Sequence, residues 1–485
     1  MPRFAILLTS LLFSLDLVHG IVPPTNATNA CSLLNGVLPG KVAFPGSTQY
    51  VSDNDHWAGS SSQPSTCSVE PSTPQDVATI LGVIQKTRTT WGVKSGGHAF
   101  NAGFSSTPGV LISTAGFNEV DYDPASSTVR VGSGNVWDDV YAKLIPLGVT
   151  VVGGRVPGVG VSGFTLGGGY SWMTELHGLA LDNVVSYELV TPTGQIFNVS
   201  AQSHPDLFSG LKGGGNNFGV VTAFVLKTYP EGLVFAGTTT YAGDIPAVRQ
   251  AIEDFDANNN DPNAVILPAY NVHGGVLTCI VQFYYHGATA PKGTFDAFIN
   301  IPSISTDLQT RTFLDFQKSI GILPAPARTV IQTVPIINYT APIIDVIVNQ
   351  TLALASSGLI DPKDPSQYVN LVVEAFHKDL YDHSTGGAYP HSSAHPWTPF
   401  LIYIGYNDTS LDTRAIAAVN EVADIVQKVA IAEGQSSPDA ILYNNYAGPG
   451  TNITRLYGAN LPQLRTLRAQ NDPQNILSLA GGWRF

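Results

Sequence analysis

The chain has 485 residues, 36 acidic against 23 basic side chains for a net charge of −13, 44% hydrophobic residues, 48 Gly, 33 Pro and three Cys. That length predicts roughly two to four domains at about 100–200 residues each. A charged share of 12% and ample apolar residues exclude disorder, and the absence of a Gly period excludes collagen. No Lys/Arg cluster offsets the negative charge, so nucleic acid is not an expected partner.

Residues 1–20 carry Arg3, an apolar stretch from Phe4 to Val18 and then His19-Gly20 before Ile21-Val22-Pro23-Pro24. They read as a secretory signal peptide, because the stretch is interrupted by Asp16 and falls short of the roughly 20 apolar residues that span a bilayer. A secreted, extracellular protein without a membrane anchor is expected. Export favours a bridge between Cys31 and Cys67 in the Ser/Pro/Asn-rich leader of the mature chain. Cys279, in the strand-like run Gly275-Val-Leu-Thr-Cys279-Ile-Val-Gln-Phe283, reads as a small buried hydrophobe. Sequons at Asn26, Asn198, Asn338, Asn349, Asn407 and Asn452 agree with a secreted glycoprotein.

Thr73-Pro74-Gln75-Asp76 ahead of Val77, Ile80, Leu81 and Ile84 predicts a helix start, with Thr73 as N-cap, Pro74 at the first helical position and Asp76 as the third-residue acceptor. A strand over Trp91–Lys94 follows. Strands at 129–131 and 149–152, a helix near Trp137–Ile145 and Gly-rich turns up to Tyr229 give this half an α+β texture. From Glu231 the texture becomes helix plus strand: an amphipathic stretch at Ile245–Phe255, strands at Val276–Tyr285, Tyr368–His377 and Phe400–Tyr406, and a helix over Arg414–Ala432. The expected divisions are residues 21–230, 231–440 and a returning segment, 441–485.

Three motifs bear on chemistry. Gly158-x-Gly160-x-x-Gly163, with Asp182 about 20 residues on, has dinucleotide spacing, but that fingerprint needs the third Gly to open a helix. Phe164-Thr165-Leu166-Gly167-Gly168-Gly169-Tyr170 reads as a poor helix, which leaves a Gly-rich backbone able to approach a phosphate or a flat ring closely. Lys94-Ser95-Gly96-Gly97-His98-Ala99-Phe100 can turn its successive N–H groups into an anion nest, with His98 projecting beside it. His391 and His395 have metal-helix spacing, yet Pro390 and Pro396 forbid the helix; with His377 and His383 they read as a polar loop rim over a pocket, and no metal is expected. There is no G-x-S-x-G nucleophile elbow.

These pieces, together with Val156-Pro157-Gly158-Val159-Gly160-Val161-Ser162-Gly163, Gly213-Gly214-Gly215-Asn216-Asn217-Phe218-Gly219-Val220-Val221-Thr222 and the tail Tyr443-Asn444-Asn445-Tyr446, Tyr457-Gly458, Asn460 and Asp472-Pro473, resemble the berberine-bridge-enzyme group of FAD-linked oxidoreductases, which are vanillyl-alcohol-oxidase-type flavoproteins. The resemblance runs from about Pro71 to the C-terminus. It implies a two-domain fold, with an FAD domain made of 21–230 plus the tail and an intervening substrate domain of sheet backed by helices. It implies FAD bonded through His98, a diphosphate held by Ser95, Gly96, Gly97 and Ala99, contacts from Gly160, Gly163, the Gly167–Gly169 run including Gly168, and Val221, and a reach to the flavin from Asn445 and Tyr446. Many members carry a second link from a Cys where this chain has Val156, so attachment through His98 alone is expected. Val159 stands where, in relatives, Val goes with ready oxygen access, which favours an oxidase releasing hydrogen peroxide.

The cofactor carries the redox chemistry, so the protein must place a C–H bond and accommodate the hydroxyl proton. The candidate bases are Tyr446, Glu374, His377 and Tyr403. Strand alternation over 372–377 puts residues 374 and 376 on one face and 373, 375 and 377 on the other, and only one face can line a pocket. A small-molecule alcohol and O2 are the expected partners of a monomer; a carbohydrate substrate, and a flavin-holding cyclase with secondary redox turnover, are the alternatives.

Overall fold

The computed structural model describes residues 24–242, 245–321 and 324–485. The expected signal peptide, residues 1–20, lies outside them. The first described segment is a helix, Pro24–Val37, where the sequence reads as a leader. Ala27, Ala30, Cys31, Leu34 and Leu38 recur at helical spacing and are buried, which gives this short segment a face to bury. Cys31 is bonded to Cys67. Cys67 opens a four-stranded sheet whose spatial order is Val42–Ala43, Cys67–Val69, Val110–Ser113 and Trp91–Lys94. The helix Pro74–Thr87 covers it and starts as predicted: Asp76 N donates to Thr73 Oγ1 at 3.2 Å, and Thr73 N donates back to Asp76 Oδ2 at 3.0 Å.

A five-stranded antiparallel sheet follows, in the order Val120–Asp123, Thr128–Gly132, Val220–Lys227, Val184–Val190, Ile196–Ser200. Strand Val149–Thr150 is shorter than predicted, because its partner Tyr229–Pro230 pairs only two residues. The chain after Gly160 departs from the sequence reading, since Val161–Gly167 is helical. Val161, Thr165 and Leu166 are buried on that short helix, so packing overrides its poor propensity. Gly163 sits inside the helix and does not open it, so the dinucleotide fingerprint fails on different grounds.

The central half builds an eight-stranded sheet with antiparallel pairing throughout its main strands. Helices Ile245–Asn258, Ala341–Ser356 and Asp412–Ala432 pack on one face. Alternation decides the two sides. Phe400, Ile402 and Ile404 join the helices, whereas Leu401 and Tyr403 join the core that contains Trp172 and Tyr443. Strand Tyr368–Val372 ends five residues before the predicted His377, because Phe376 N donates to Glu374 O at 2.8 Å and turns the chain out of the ladder.

The tail returns to the first sheet. Trp91 Nε1 donates to Ile476 O at 2.9 Å, Trp91 bridges Ala480, and Asn217 Nδ2 donates to Trp483 O at 2.7 Å. Among the described residues no helix is long and apolar enough to cross a membrane.

Candidate active site

Strand Trp91–Lys94 runs straight into the turn Ser95–Ala99. The loop 156–160 lies against this turn so closely that a Cβ on Gly96 would overlap the Gly160 backbone, and one on Gly160 would overlap Gly96. Only two glycines allow that approach. Ser95 Oγ donates to Ser133 O at 2.8 Å, Gly158 N donates to Asp138 Oδ2 at 2.6 Å, and Trp137 N donates to Val159 O at 3.0 Å. His98 therefore projects from a turn fixed on two sides. Its ring stacks on Trp57 with centroids 5.7 Å apart, and its Nε2 would stand 3.0 Å from a Cβ on Gly158. Burial pushes the His98 imidazole down to about 4, with His56 adding to the effect, so it is neutral at pH 7.

Tail and glycine run meet on the far side of the short helix. A Cβ on Gly167 would overlap the Asn445 side chain, and Gly169 N donates to Tyr443 OH at 2.9 Å. Asn445 Nδ2 also donates to Tyr443 OH, at 2.9 Å. Gly168 lies against the Tyr443 ring, while around Gly163 there is open space. Val221 is buried on strand Val220–Lys227, one residue before Thr222, whose carbonyl accepts from Ser133 N at 2.9 Å. Ala99 and Val159 are half-buried beside the turn and the loop.

Tyr446 and Glu374 are brought together. Tyr446 OH donates to Glu374 Oε1 at 3.0 Å, and Tyr446 packs edge-on to Tyr443 at 4.9 Å. A third group, which the sequence reading passed over, completes the cluster: Arg155 Nη2 donates to Glu374 Oε1 and Oε2 at 2.9 and 2.7 Å and to Tyr446 OH at 3.3 Å. Burial pushes the Glu374 carboxyl up and Arg155 pulls it back, while Glu374 keeps the Arg155 guanidinium charged. Burial, with Glu374 adding to it, holds the Tyr446 phenol well above its ordinary value. A signal for Arg155 did exist: a lone basic residue in Val151-Val152-Gly153-Gly154-Arg155-Val156 has to find a partner once buried.

The other two candidate bases stand elsewhere. Tyr403 leans on Phe100 at 6.4 Å and on Tyr368 at 5.8 Å, and burial pushes its phenol up to about 12. Together with Trp57, which meets Phe100 edge-on at 5.6 Å, it forms an aromatic rank leading away from His98. His377 lies beyond the end of strand Tyr368–Val372, past the turn at Phe376, and apart from Glu374. Its backbone N–H donates to Glu175 at 2.8 Å, and it lines a small polar cavity with Glu175, Asp256 and Asn259. His391 is no rim residue either. It is buried, with Nε2 3.1 Å from both Asp182 oxygens and Nδ1 2.7 Å from Tyr389 O. Asp182 also accepts from the Thr385 amide at 2.8 Å and stands 3.7 Å from Lys212, so this is a satisfied internal network.

Residues 65–200 match the FAD binding domain family known as FAD_binding_4. A relative from Arthroderma benhamiae, called an uncharacterized FAD-linked oxidoreductase, is 36% identical over 282 residues, which is 56% of this chain and 56% of the relative's own length. The FAD-dependent monooxygenase sdcF of Emericella nidulans is 30% identical over 479 residues, 94% of this chain and 98% of that protein. The carbohydrate oxidase from Microdochium nivale has the same fold, with a TM-score of 0.76 at 18% identity over 93% of this chain and 98% of that one. The fold is thus that of an FAD-binding family. The chain belongs to the family of FAD-linked oxidoreductases that includes the Emericella nidulans protein, and it shares the fold of berberine bridge enzyme, with a TM-score of 0.72 at 18% identity over 92% of this chain and 98% of that one.

The residues present fit FAD. The imidazole of His98 is neutral, and among the described residues no hydrogen bond ties up its nitrogens. Gly158 keeps the space beside Nε2 free of a side chain, and Gly163 faces open space on the same loop-and-helix unit. Ser95, Gly96, Gly97 and Ala99 would hold the diphosphate, with Val159, Gly160, Gly163 and Val221 around the rest of the cofactor.

Proposed function

We propose that this protein is a secreted FAD-dependent oxidase of an alcohol-type small molecule, with O2 as electron acceptor and the carbonyl compound and hydrogen peroxide as products. FAD, when bound, supplies the hydride acceptor, and His98 is its point of covalent attachment. The observation that carries the reading is the 3.0 Å hydrogen bond from Tyr446 OH to Glu374 Oε1. The Tyr446 phenol is too weak an acid, buried as it is, to stand as a free tyrosinate. It accepts the substrate hydroxyl proton only by handing its own to Glu374, whose burial-raised carboxyl suits a proton acceptor. The sheet face toward this pair carries Ile331, Val372, Leu401 and Tyr403, an apolar and aromatic wall that supports a metabolite alcohol over an oligosaccharide. Attachment through His98 alone follows from Val156 at the position of the second link.

A second reading, insertion of an oxygen atom into the substrate, is supported by relatives named FAD-dependent monooxygenases, among them those of Emericella nidulans, Aspergillus niger and Penicillium terrestre. The fate of the oxidant separates the two. A peroxide-coupled screen of alcohols and sugars under isotopically labelled O2 tests both, since an oxidase releases stoichiometric peroxide and leaves the product unlabelled. Label in the product would overturn the oxidase reading.

A further inference from the structure

The Arg155–Glu374 pair is unlike a surface ion pair. The two side chains are 5% and 1% exposed. The Arg155 guanidinium lies 5.1 Å from the Phe376 ring centroid and 5.9 Å from that of Trp172, and its Nη1 is buried without a hydrogen-bond partner. Among the described residues, the charge of Arg155 is answered through Nη2, by Glu374 and the Tyr446 hydroxyl. The groups facing Glu374 come from three elements: Arg155 from the Gly-rich loop, Tyr446 and Tyr443 from the tail, and Tyr339, whose hydroxyl accepts from Glu374 N at 3.3 Å. Arg155 is the one cation among them. Buried ion pairs add little stability compared with apolar residues of the same volume, whereas one charge left without the other is strongly unfavourable.

We propose that Arg155 is a positioning residue for proton transfer, holding Glu374 ionised and aimed at the Tyr446 hydroxyl so that it can take the proton that leaves the substrate. The inference rests on the oxidase reading above. In the step, the Tyr446 O–H bond breaks and an O–H bond forms on Glu374, while Tyr446 takes up the substrate hydroxyl proton. Charge at the cluster goes from Arg⁺/Glu⁻ to Arg⁺ with a neutral acid, and the electron pair of the substrate C–H bond is not handled by these three residues. Without Arg155, burial would leave Glu374 protonated and Tyr446 without an acceptor.

The test is infrared titration of the full-length protein, following the carboxylic-acid carbonyl band that Glu374→Gln removes, alongside the pH profile of anaerobic flavin reduction by an alcohol found in the peroxide screen. Arg155→Met is expected to raise the pH at which this band disappears by about 1 to 3 pH units, and to move the acid limb of flavin reduction with it. Arg155→Lys, which keeps the charge but not the two-oxygen fork, should fall between wild type and Arg155→Met. If Arg155→Met does not fold, the double variant Arg155→Met/Glu374→Gln should fold, because it leaves no unpaired charge, and Arg155→Lys then carries the titration. A band midpoint in Arg155→Lys or Arg155→Met equal to that of wild type overturns the proposal. The band needs no turnover, so that result leaves the oxidase reading standing. Absence of flavin reduction by every alcohol in the wild type would instead overturn the oxidase reading.

Discussion

Trp57 lies stacked on His98, the ring planes 17° apart, although the two residues come from different segments. Trp57 N also donates to Gly97 O at 3.1 Å, so one residue fixes both the turn and the imbedded imidazole. If His98 carries the flavin, acid precipitation of the protein gives a yellow pellet. His98→Ala should give a colourless pellet with free flavin in the supernatant, and Val156→Ala should keep its colour. A coloured pellet from His98→Ala would move the attachment to another residue.

Glu374 and Tyr446 should be distinguishable by stability as well as by rate. Tyr446→Phe removes a hydroxyl and is expected to slow anaerobic flavin reduction by a factor on the order of 100 or more, with little change in melting temperature. Glu374→Gln should slow it similarly, and should also cost about 3–5 kcal/mol of stability because Arg155 is left buried and uncompensated. Stopped-flow reduction and thermal melting of the same preparations check both parts.

The cavity beside His377 makes a prediction about pH. Burial pushes Glu175 up from 4.5 to about 8 and Asp256 from 3.8 to about 7. Between the unfolded and folded values the native state binds more protons than the unfolded state, so stability falls as pH rises through that window. The slope is at most about 1.4 kcal/mol per pH unit for each carboxyl. In denaturant unfolding between pH 5 and pH 8, the histidines that burial pushes down add stability as pH rises, so the carboxyl contribution is read as a difference: stability should rise less, or fall more, with pH in the wild type than in Glu175→Gln. An equal slope in the two proteins would show that Glu175 ionises freely.

Cys31 and Cys67 close a loop of 36 residues, and the chain-entropy relation assigns such a bridge about 4 kcal/mol. The paired change Cys31→Ser/Cys67→Ser should lower stability by up to that amount. Cys279 is fully buried, and burial pushes its thiol up, so the native wild type should not react with a thiol reagent until it is denatured.

What could be read from the sequence was mostly local. Thr73 and Asp76 cap each other across three residues, and strand Val276–Tyr285 has the predicted ends, because both depend on neighbours in the chain. Glu374 and Tyr446 could be named as candidates, but their meeting joins residues 72 apart, and Arg155 is 219 residues from Glu374. Pairings of that span have no periodic signature. Helix Val161–Gly167 was hidden by its glycines, and His391 by its prolines, since each owes its place to residues far away: the Leu166 core for the one, Asp182 for the other. His377 shows the limit from the other side. Alternation alone separated it from Glu374, but only the turn at Phe376 and the Glu175 contact say where it went.

The hydrogen bond from Trp91 to Ile476 spans 385 residues, and strand Trp91–Lys94 leads straight into the turn that bears His98. On the ribosome, that strand emerges long before its partner exists. The intervening eight-stranded sheet and its helices can assemble while synthesis continues, but strand Trp91–Lys94 stays without its tail partners until Ile476 and Ala480 have been made. Maturation of the site therefore runs against the direction of translation. A chain interrupted within the tail would carry the whole turn that bears His98 and still lack the residues that pack on the strand leading into it.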